Sequence, residues 1–137
     1  MANEIILLDT DFFIEYKNDN QEAVKIVENS ETTFIALGAT TFVELIKGAQ
    51  DKKQLDKVLK ITQNFHIIQI DEDISEKAID LLITYHLSKS AAFNDSLLAA
   101  TAIKYGCKLA TCNKKHFEYI PNLLLLPHNV VPKRKSW

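Results

Sequence analysis

The chain has 137 residues, of which 47% are hydrophobic and 25% are charged, and this balance excludes a disordered chain. No apolar stretch is long enough to span a membrane, and the N-terminus lacks the features of a signal peptide, so we expect a cytoplasmic protein without membrane contact. The formal net charge of −2 excludes a protein that is basic over its whole surface. Cys107 and Cys112 lack zinc-site spacing and are expected to be reduced thiols.

The first half of the chain alternates between strand-like and helix-like segments. In chain order these are a strand at residues 5–8, helices at 12–16 and around 23–27, a strand at 34–37 and a helix at 41–47. The two strands are short apolar runs, which are typical of strands buried on both faces. The helices are indicated by apolar residues at helical spacing, and Gly48 has the position that glycine takes after a helix end.

The second half continues the alternation. The predicted elements are helices at residues 55–62, 73–85 and 95–105, strands at 65–70, 108–111 and 123–126, and a helical turn at 115–119. Asp73 and Glu76 have the spacing of a capping box, which places a helix start there. Gly106 ends the helix at 95–105, which is apolar on most of its faces and is therefore expected to be buried.

Alternating strands and helices at this spacing predict the fold class. Parallel strands need long crossover connections, and these intervals supply them. We therefore predict a three-layer α/β fold, with a central parallel sheet flanked by helices, formed by a single domain over residues 1–137. Residues 128–137, which include a basic triplet at 133–135, are expected to form a flexible basic tail.

The first candidate site residue, Asp9, follows the apolar run at residues 5–8 directly. A carboxylate in this position lies at the C-terminal edge of the sheet, where open α/β sheets bind their ligands. Asp11 follows two residues later. A simpler interpretation is that Asp11 caps the next helix and Asp9 only contributes to the turn.

Glu44 is the second candidate, at the start of a helix that begins just after a strand. Apolar neighbours surround it in the sequence, and the first turn of such a helix faces the same sheet edge as Asp9. The alternative is specific: Thr41 and Glu44 have capping-box spacing, so that Glu44 would bond only to its own helix start.

Asp95 is the third candidate, at the N-terminus of the most apolar helix. Asn94 or Ser96 could cap this helix equally well, so capping does not require Asp95. Because Asp95 shares a face with Ala99, its carboxylate is expected to point toward the packed side. A buried carboxylate needs a partner, and a cation is the simplest one.

Three carboxylates from three elements are thus predicted to meet at one edge of the sheet. They would repel one another unless a cation neutralised them, and clustered carboxylate oxygens suit Mg²⁺ or Mn²⁺. A divalent cation polarises phosphoryl oxygens and activates water, so the chemistry predicted is hydrolysis of a phosphodiester. Lys47, Lys114 and Lys115 are candidates to offset the negative charge for an incoming polyanion such as RNA.

These motifs, taken in order, resemble those of PIN-domain ribonucleases, and most of all the VapC-type toxins of bacterial toxin–antitoxin pairs. The resemblance rests on four segments: Leu7-Leu8-Asp9-Thr10-Asp11, residues 41–48 around Glu44, residues 94–102 with Gly106, and residues 111–117. It covers nearly the whole chain. Single segments would be weak signals, and their ordered combination is specific.

The resemblance implies a PIN fold and a Mg²⁺- or Mn²⁺-dependent endoribonuclease that acts as the toxin of such a pair. It also implies a homodimer and a small antitoxin protein as partners, with RNA as the substrate. By motif position, Asp9, Glu44 and Asp95 match the catalytic acids of the family. Asp9 and Asp95 would bind the metal directly, and Glu44 would bind the metal or orient water.

Two departures from the family pattern affect the expected site. Asp11 stands where many relatives carry Asn, which adds an acid and a further candidate metal ligand. The fourth acid that many relatives carry after the fourth strand is missing, and the matching positions hold Asn113 and His116. One metal ion rather than two is therefore our hypothesis. His116 is either a phosphate or metal contact or a loop histidine, and Thr111 is a candidate hydrogen-bond donor to a site carboxylate.

Two alternative functions remain open from the sequence. The missing acid would also suit a non-catalytic PIN-like module that binds RNA or protein. A phosphatase of the haloacid dehalogenase type would use Asp9 as nucleophile and Asp11 as acid and base. The second alternative lacks the usual residues after Asp11 and a late acidic pair.

Overall fold

The computed structural model describes residues 4–28 and 33–132, and the strands within these ranges form one sheet. The strands are β1 (Glu4–Leu8), β2 (Thr33–Gly38), β3 (His66–Ile68), β4 (Lys108–Ala110) and β5 (Leu124–Leu125). They lie in the order β3-β2-β1-β4-β5, and all neighbouring pairs are parallel. The predicted central parallel sheet is therefore confirmed.

Helices cover both faces of the sheet, which confirms the three-layer α/β fold. They are α1 (Thr10–Lys17), α2 (Gln21–Glu28), α3 (Ala39–Gly48), α4 (Lys52–Thr62), α5 (Glu72–Lys89) and α6 (Phe93–Tyr105). Side chains of α5 and α6 form one apolar core with Leu7 of β1. Side chains of α1 to α4 form a second core with Ile6 and Leu8, because successive strand residues point to opposite faces.

β1 is the central strand, between β2 and β4. Leu7 and Leu8 are fully buried, and Ile6 is 5% exposed, so the apolar run is covered on both faces as its composition predicted. β2 lies on one side of β1 and β4 on the other, so the chain changes direction across the sheet at β1. In open α/β sheets this point, at the C-terminal ends of the strands, forms a crevice.

The start of α5 differs from the prediction. Asp71, not Asp73, is its N-cap residue, and the Asp71 carboxylate accepts a 2.9 Å hydrogen bond from the Ile74 backbone N–H. Asp73 lies within the first turn. The helix also continues to Lys89, about one turn beyond the predicted end near Tyr85.

The start of α6 also differs from the prediction. Ala92 is its N-cap residue and provides no side-chain hydrogen bond, so neither Asn94 nor Ser96 caps the helix. The end is as predicted: Gly106 adopts a left-handed conformation with φ of 63°, and glycine tolerates it because it has no Cβ. Ser96 to Ala102 are buried, which confirms that this helix lies in the core.

The expected tail divides into two parts. Residues 128–132 are described, and Val130 among them is only 5% exposed and belongs to the second core. The basic triplet and the remainder of residues 133–137 lie outside the described residues. Within the described ranges, every helix is too short or too polar to cross a lipid bilayer.

Candidate active site

A cleft of about 460 Å³ opens where β1 and β4 end. Asp9, Asp11, Glu44 and Asp95 all line it, so the structure brings the four predicted carboxylates to one place. The remaining lining residues are Thr10, Ile14, Asn94, Asn113, His116 and Pro132. The four acids come from three helices: Asp9 and Asp11 from the start of α1, Glu44 from α3, and Asp95 from the first turn of α6.

Asp9 is the most constrained of the four acids. It is the N-cap residue of α1, and its Oδ1 accepts a 2.8 Å hydrogen bond from the Thr10 backbone N–H. Its Oδ2 accepts a second bond of 2.8 Å from the Thr111 hydroxyl. The interpretation in which Asp11 caps α1 and Asp9 only shapes the turn is therefore wrong.

The surroundings of Asp9 disfavour its charged form. Burial and then repulsion from Asp11 raise the pKa of Asp9 from its ordinary value of 3.8 to about 7, and Asp95 adds a smaller repulsion. The hydrogen bonds from Thr111 and Thr10 oppose this rise, because they stabilise the carboxylate. Asp9 is thus a carboxylate that gains from a nearby cation.

Thr111 lies immediately after β4 and links that strand to Asp9. It is 1% exposed, and its hydroxyl, while donating to Asp9, accepts a 3.0 Å hydrogen bond from the Asn113 backbone N–H. Both capacities of the hydroxyl are thereby used. The structure places Thr111 where the sequence predicted a donor to a site carboxylate, and the contact spans 102 residues of sequence.

The loop after β4, which carries Thr111, also contacts Asp11. The Asp11 Oδ1 accepts a 3.2 Å hydrogen bond from the Cys112 backbone N–H. Burial raises the pKa of Asp11, while this bond and one from the Phe12 backbone lower it. Cys112 and Cys107 are free thiols, as predicted, and burial followed by the charge of Asp11 raises the pKa of Cys112 to about 12.

Asp95 faces His116 across the cleft. The two side chains are 3.3 Å apart between Asp95 Oδ2 and His116 Nδ1, and they are 32% and 58% exposed. Burial raises the pKa of Asp95, and the charge and hydrogen bond of His116 oppose that rise. Of the two interpretations of His116, the structure favours a site residue over an isolated loop histidine.

Glu44 lies at the open side of the cleft and is exposed. Its Oε1 accepts a 3.2 Å hydrogen bond from the Thr10 hydroxyl. The capping-box alternative is wrong, because α3 begins at Ala39 after the N-cap Gly38, and Thr41 is already inside the helix and 1% exposed. Thr10 is a site residue that the sequence analysis missed, although it lies between the two aspartates that drew attention.

The three lysines predicted to bind RNA are exposed and lie outside the lining of this cleft as the described residues define it. Lys114 and Lys115 belong to a short 3₁₀ helix, Lys114–His116, which follows the lining residue Asn113. Lys47 lies in the last turn of α3. Their contact with RNA stays a prediction.

The donor set of the cleft suits a hard divalent cation. The candidate ligands are carboxylate oxygens, the type that Mg²⁺ and Mn²⁺ prefer. Among the described residues, no three His, Cys, Asp or Glu side chains are placed to hold a metal ion together. Mg²⁺ keeps several waters and is usually held by one or two carboxylates, so it does not require three such side chains. Asp9 and Asp95 fit that role, with Asp11 and Glu44 near enough to line the same cleft.

Comparisons with solved structures find the same fold in toxin–antitoxin proteins. VapBC2 from Rickettsia felis, bound to a promoter DNA fragment, has a TM-score of 0.76 and 26% identity, over 89% of this chain and 97% of that chain. A toxin–antitoxin complex from Klebsiella pneumoniae has a TM-score of 0.73 and 28% identity, over 87% and 95% of the two chains.

A more distant structure shows the fold alone. VapC20 of Mycobacterium tuberculosis, described as a toxin that cleaves the sarcin–ricin loop, has a TM-score of 0.56 and 17% identity, over 75% of this chain and 85% of that chain. The search of curated protein sequences found no match. The PIN domain family matches residues 6–123. Since that match spans most of the 137 residues and includes all four acids of the cleft, the chain belongs to the PIN domain family.

Proposed function

We propose that the protein is a Mg²⁺- or Mn²⁺-dependent endoribonuclease that acts as the toxin of a toxin–antitoxin pair. One observation carries this proposal: Asp9, Asp11 and Asp95 share a cleft, and burial raises the pKa of each. Among the described residues, no lysine or arginine lines that cleft. Buried carboxylates that repel one another are stabilised by a nearby cation, and this supports the proposed metal.

Each acid has a role in this proposal. Asp9 and Asp95 would hold the metal ion, and Asp11 would add negative charge beside them. The bound ion would polarise a phosphoryl oxygen and lower the pKa of a bound water. Glu44, which the Thr10 hydroxyl fixes by one oxygen, has its second oxygen available to orient the attacking water.

RNA as the substrate is supported by two lines of reasoning. VapC20, which shares the fold, is described as a toxin that cleaves the sarcin–ricin loop. The exposed Lys114 and Lys115 follow the cleft residue Asn113, so they stand near the path of an incoming phosphate backbone. His116, beside Asp95, is placed to contact a phosphate.

The proposed partners follow from the relatives. The Rickettsia felis and Klebsiella pneumoniae structures are toxin–antitoxin complexes, and this supports a small antitoxin that binds the present chain. A homodimer and a cytoplasmic location complete the proposal. The free thiols Cys107 and Cys112 agree with a reducing compartment.

The non-catalytic alternative rests on one specific observation. Asn113 lines the cleft where many relatives have an acid, so the site has one negative charge fewer than theirs. Asp11, whose carboxylate accepts from the backbone N–H of the neighbouring Cys112, restores that charge in the same cleft. The phosphatase alternative is set aside, because the family model that matches the chain is that of the PIN domain.

RNA cleavage by the purified protein tests the proposal. Fluorescent single-stranded RNA is incubated with the protein and Mn²⁺ or Mg²⁺, beside Asp9→Asn, Asp95→Asn and the control Asp56→Asn, whose side chain is exposed on α4. We expect cleavage that EDTA abolishes and that falls at least about 100-fold in the two cleft variants. The control should cleave like the wild type.

Three outcomes would contradict the proposal. Equal cleavage by Asp9→Asn would identify a contaminating nuclease. Cleavage that persists in EDTA would exclude the metal. RNA binding without cleavage in either metal would support the non-catalytic module instead.

A further inference from the structure

His128 lies outside the cleft lining yet contacts the loop that fixes Asp9. Its Nε2 is 2.7 Å from the Thr111 carbonyl oxygen. On the other side of the ring, His128 Nδ1 accepts a 2.9 Å hydrogen bond from the Val130 backbone N–H. Since Nδ1 accepts, the proton of the neutral ring is on Nε2, which therefore donates to Thr111.

The segment that carries His128 is anchored at several points. The Leu126 backbone N–H donates a 2.8 Å hydrogen bond to the Leu109 carbonyl of β4. Val130 is buried in the second core. The His128 ring packs edge-on against Phe12 in the first turn of α1, with 5.0 Å between ring centroids. The ring is thus wedged between the end of β4 and the start of α1.

Thr111 is the single residue that links His128 to Asp9. Thr111 uses its carbonyl to accept from His128 and its hydroxyl to donate to Asp9. Movement of the Thr111 backbone would therefore change the position of the hydroxyl and of the Asp9 carboxylate together. Phe12 belongs to the same turn of α1 as Asp11, so the His128 ring also limits movement of the cleft wall that Asp11 forms.

We infer that His128 is a positioning residue that holds Thr111, and through it Asp9, in place at the cleft. The effect of His128 on catalysis rests on the proposed ribonuclease function. The effect of His128 on the position of the Thr111 loop does not depend on that function. Residues that support metal-binding side chains in this way alter affinity or turnover by about 10- to 100-fold when replaced. His128 lies outside the cleft lining as the described residues define it, so we expect it to act on turnover and not on RNA affinity.

Two substitutions separate the two hydrogen bonds of the ring. In His128→Asn, the side-chain oxygen matches Nδ1 and can still accept from Val130, but the side chain is too short to reach Thr111. In His128→Gln, the amide nitrogen matches Nε2 and can still donate to Thr111, but the Val130 bond is lost. A matched control is His86→Asn, because His86 is exposed on α5.

Amide hydrogen exchange in the metal-free protein tests the positional effect by itself. The Asn113 N–H donates to the Thr111 hydroxyl, so its exchange reports on whether that loop is held. We expect exchange of the Asn113 amide to accelerate about 10-fold in His128→Asn and to change less than about 3-fold in His128→Gln and His86→Asn. Equal exchange in His128→Asn and wild type would overturn the inference, whatever the activity of the protein.

Cleavage kinetics with fluorescent RNA and Mn²⁺ test the catalytic effect. We expect kcat to fall about 10-fold in His128→Asn with KM for RNA unchanged, and to be retained within about 3-fold in His128→Gln. A loss of kcat that is equal in both variants would show that only the packing of the C-terminal segment matters, and would overturn the positioning role. An inactive wild type would contradict the proposed function, and amide exchange would then decide the role of His128.

Discussion

Replacing Asp9 by Asn should stabilise the protein at neutral pH and reduce its activity. The pKa of Asp9 is raised from 3.8 to about 7, so the folded protein holds this proton more tightly than the unfolded chain does. The corresponding stability is fully present below pH 3.8 and is lost as the pH rises through 7. Above pH 7 the loss amounts to about 4 kcal/mol, at 1.36 kcal/mol for each pKa unit.

The Asn variant avoids this loss, because its side chain carries no charge. It keeps an oxygen that can accept from the Thr10 N–H, and it exchanges the bond from Thr111 for a weaker neutral one at a cost of about 1 kcal/mol. We therefore expect Asp9→Asn to be more stable than wild type by about 2–3 kcal/mol at pH 8 and about equal to it near pH 4.

Urea denaturation followed by circular dichroism, in EDTA and between pH 4 and 8, measures this difference. The exposed substitution Asp56→Asn serves as the control for the loss of one acidic side chain. Added Mg²⁺ should stabilise wild type more than Asp9→Asn, because binding favours the folded state. An Asp9→Asn variant that is no more stable than wild type at pH 8 would refute the argument that the fold disfavours this charge.

Three further predictions concern the surroundings of the site and the fold. Thr111→Val removes the buried hydroxyl that donates to Asp9, and we expect the free energy of unfolding in urea to fall by about 1–3 kcal/mol; no change would contradict the hydrogen bond. Replacing Lys114 and Lys115 by Ala should weaken RNA binding in fluorescence anisotropy and reduce the slope of log affinity against log salt by about 1; an unchanged slope would exclude contact with phosphate. Gly106→Ala forces a side chain into a left-handed conformation and should lower the unfolding free energy by about 1 kcal/mol, as measured by calorimetry.

Strong local patterns made most of the fold predictable. The apolar run of β1 and the apolar helix α6 each carry enough buried residues to fix their own type and position. The start of α5 was misplaced because Asp71 and Asp73 both precede a plausible first turn. The pattern of Asp73 and Glu76 is the better local signal, but burial of Ile74 in the core sets the helix start at Glu72.

The acids of the site could be predicted from the sequence, but the residues that hydrogen-bond to them could not. Asp9 follows a strand end and Asp95 lies in the first turn of a helix, and these positions direct both to one edge of the sheet. Glu44 lines the same cleft from beyond the first turn of α3, so its predicted place in the first turn is wrong. Their hydrogen-bond partners come from distant parts of the chain: Thr10 and Glu44 are 34 residues apart, and His128 is 17 residues from Thr111. No local periodicity encodes such pairs, because they form only when the sheet and its helices pack.

The cleft draws its walls from residues far apart in the sequence, from Asp9 to Pro132. A ribosome must therefore release the whole of that span before the cleft can be complete. While the chain is still being translated, β1 lacks its neighbour β4, and Asp9 lacks the Thr111 hydroxyl. Under the proposed function, the site therefore cannot act until β4 and Thr111 have been translated and packed beside β1.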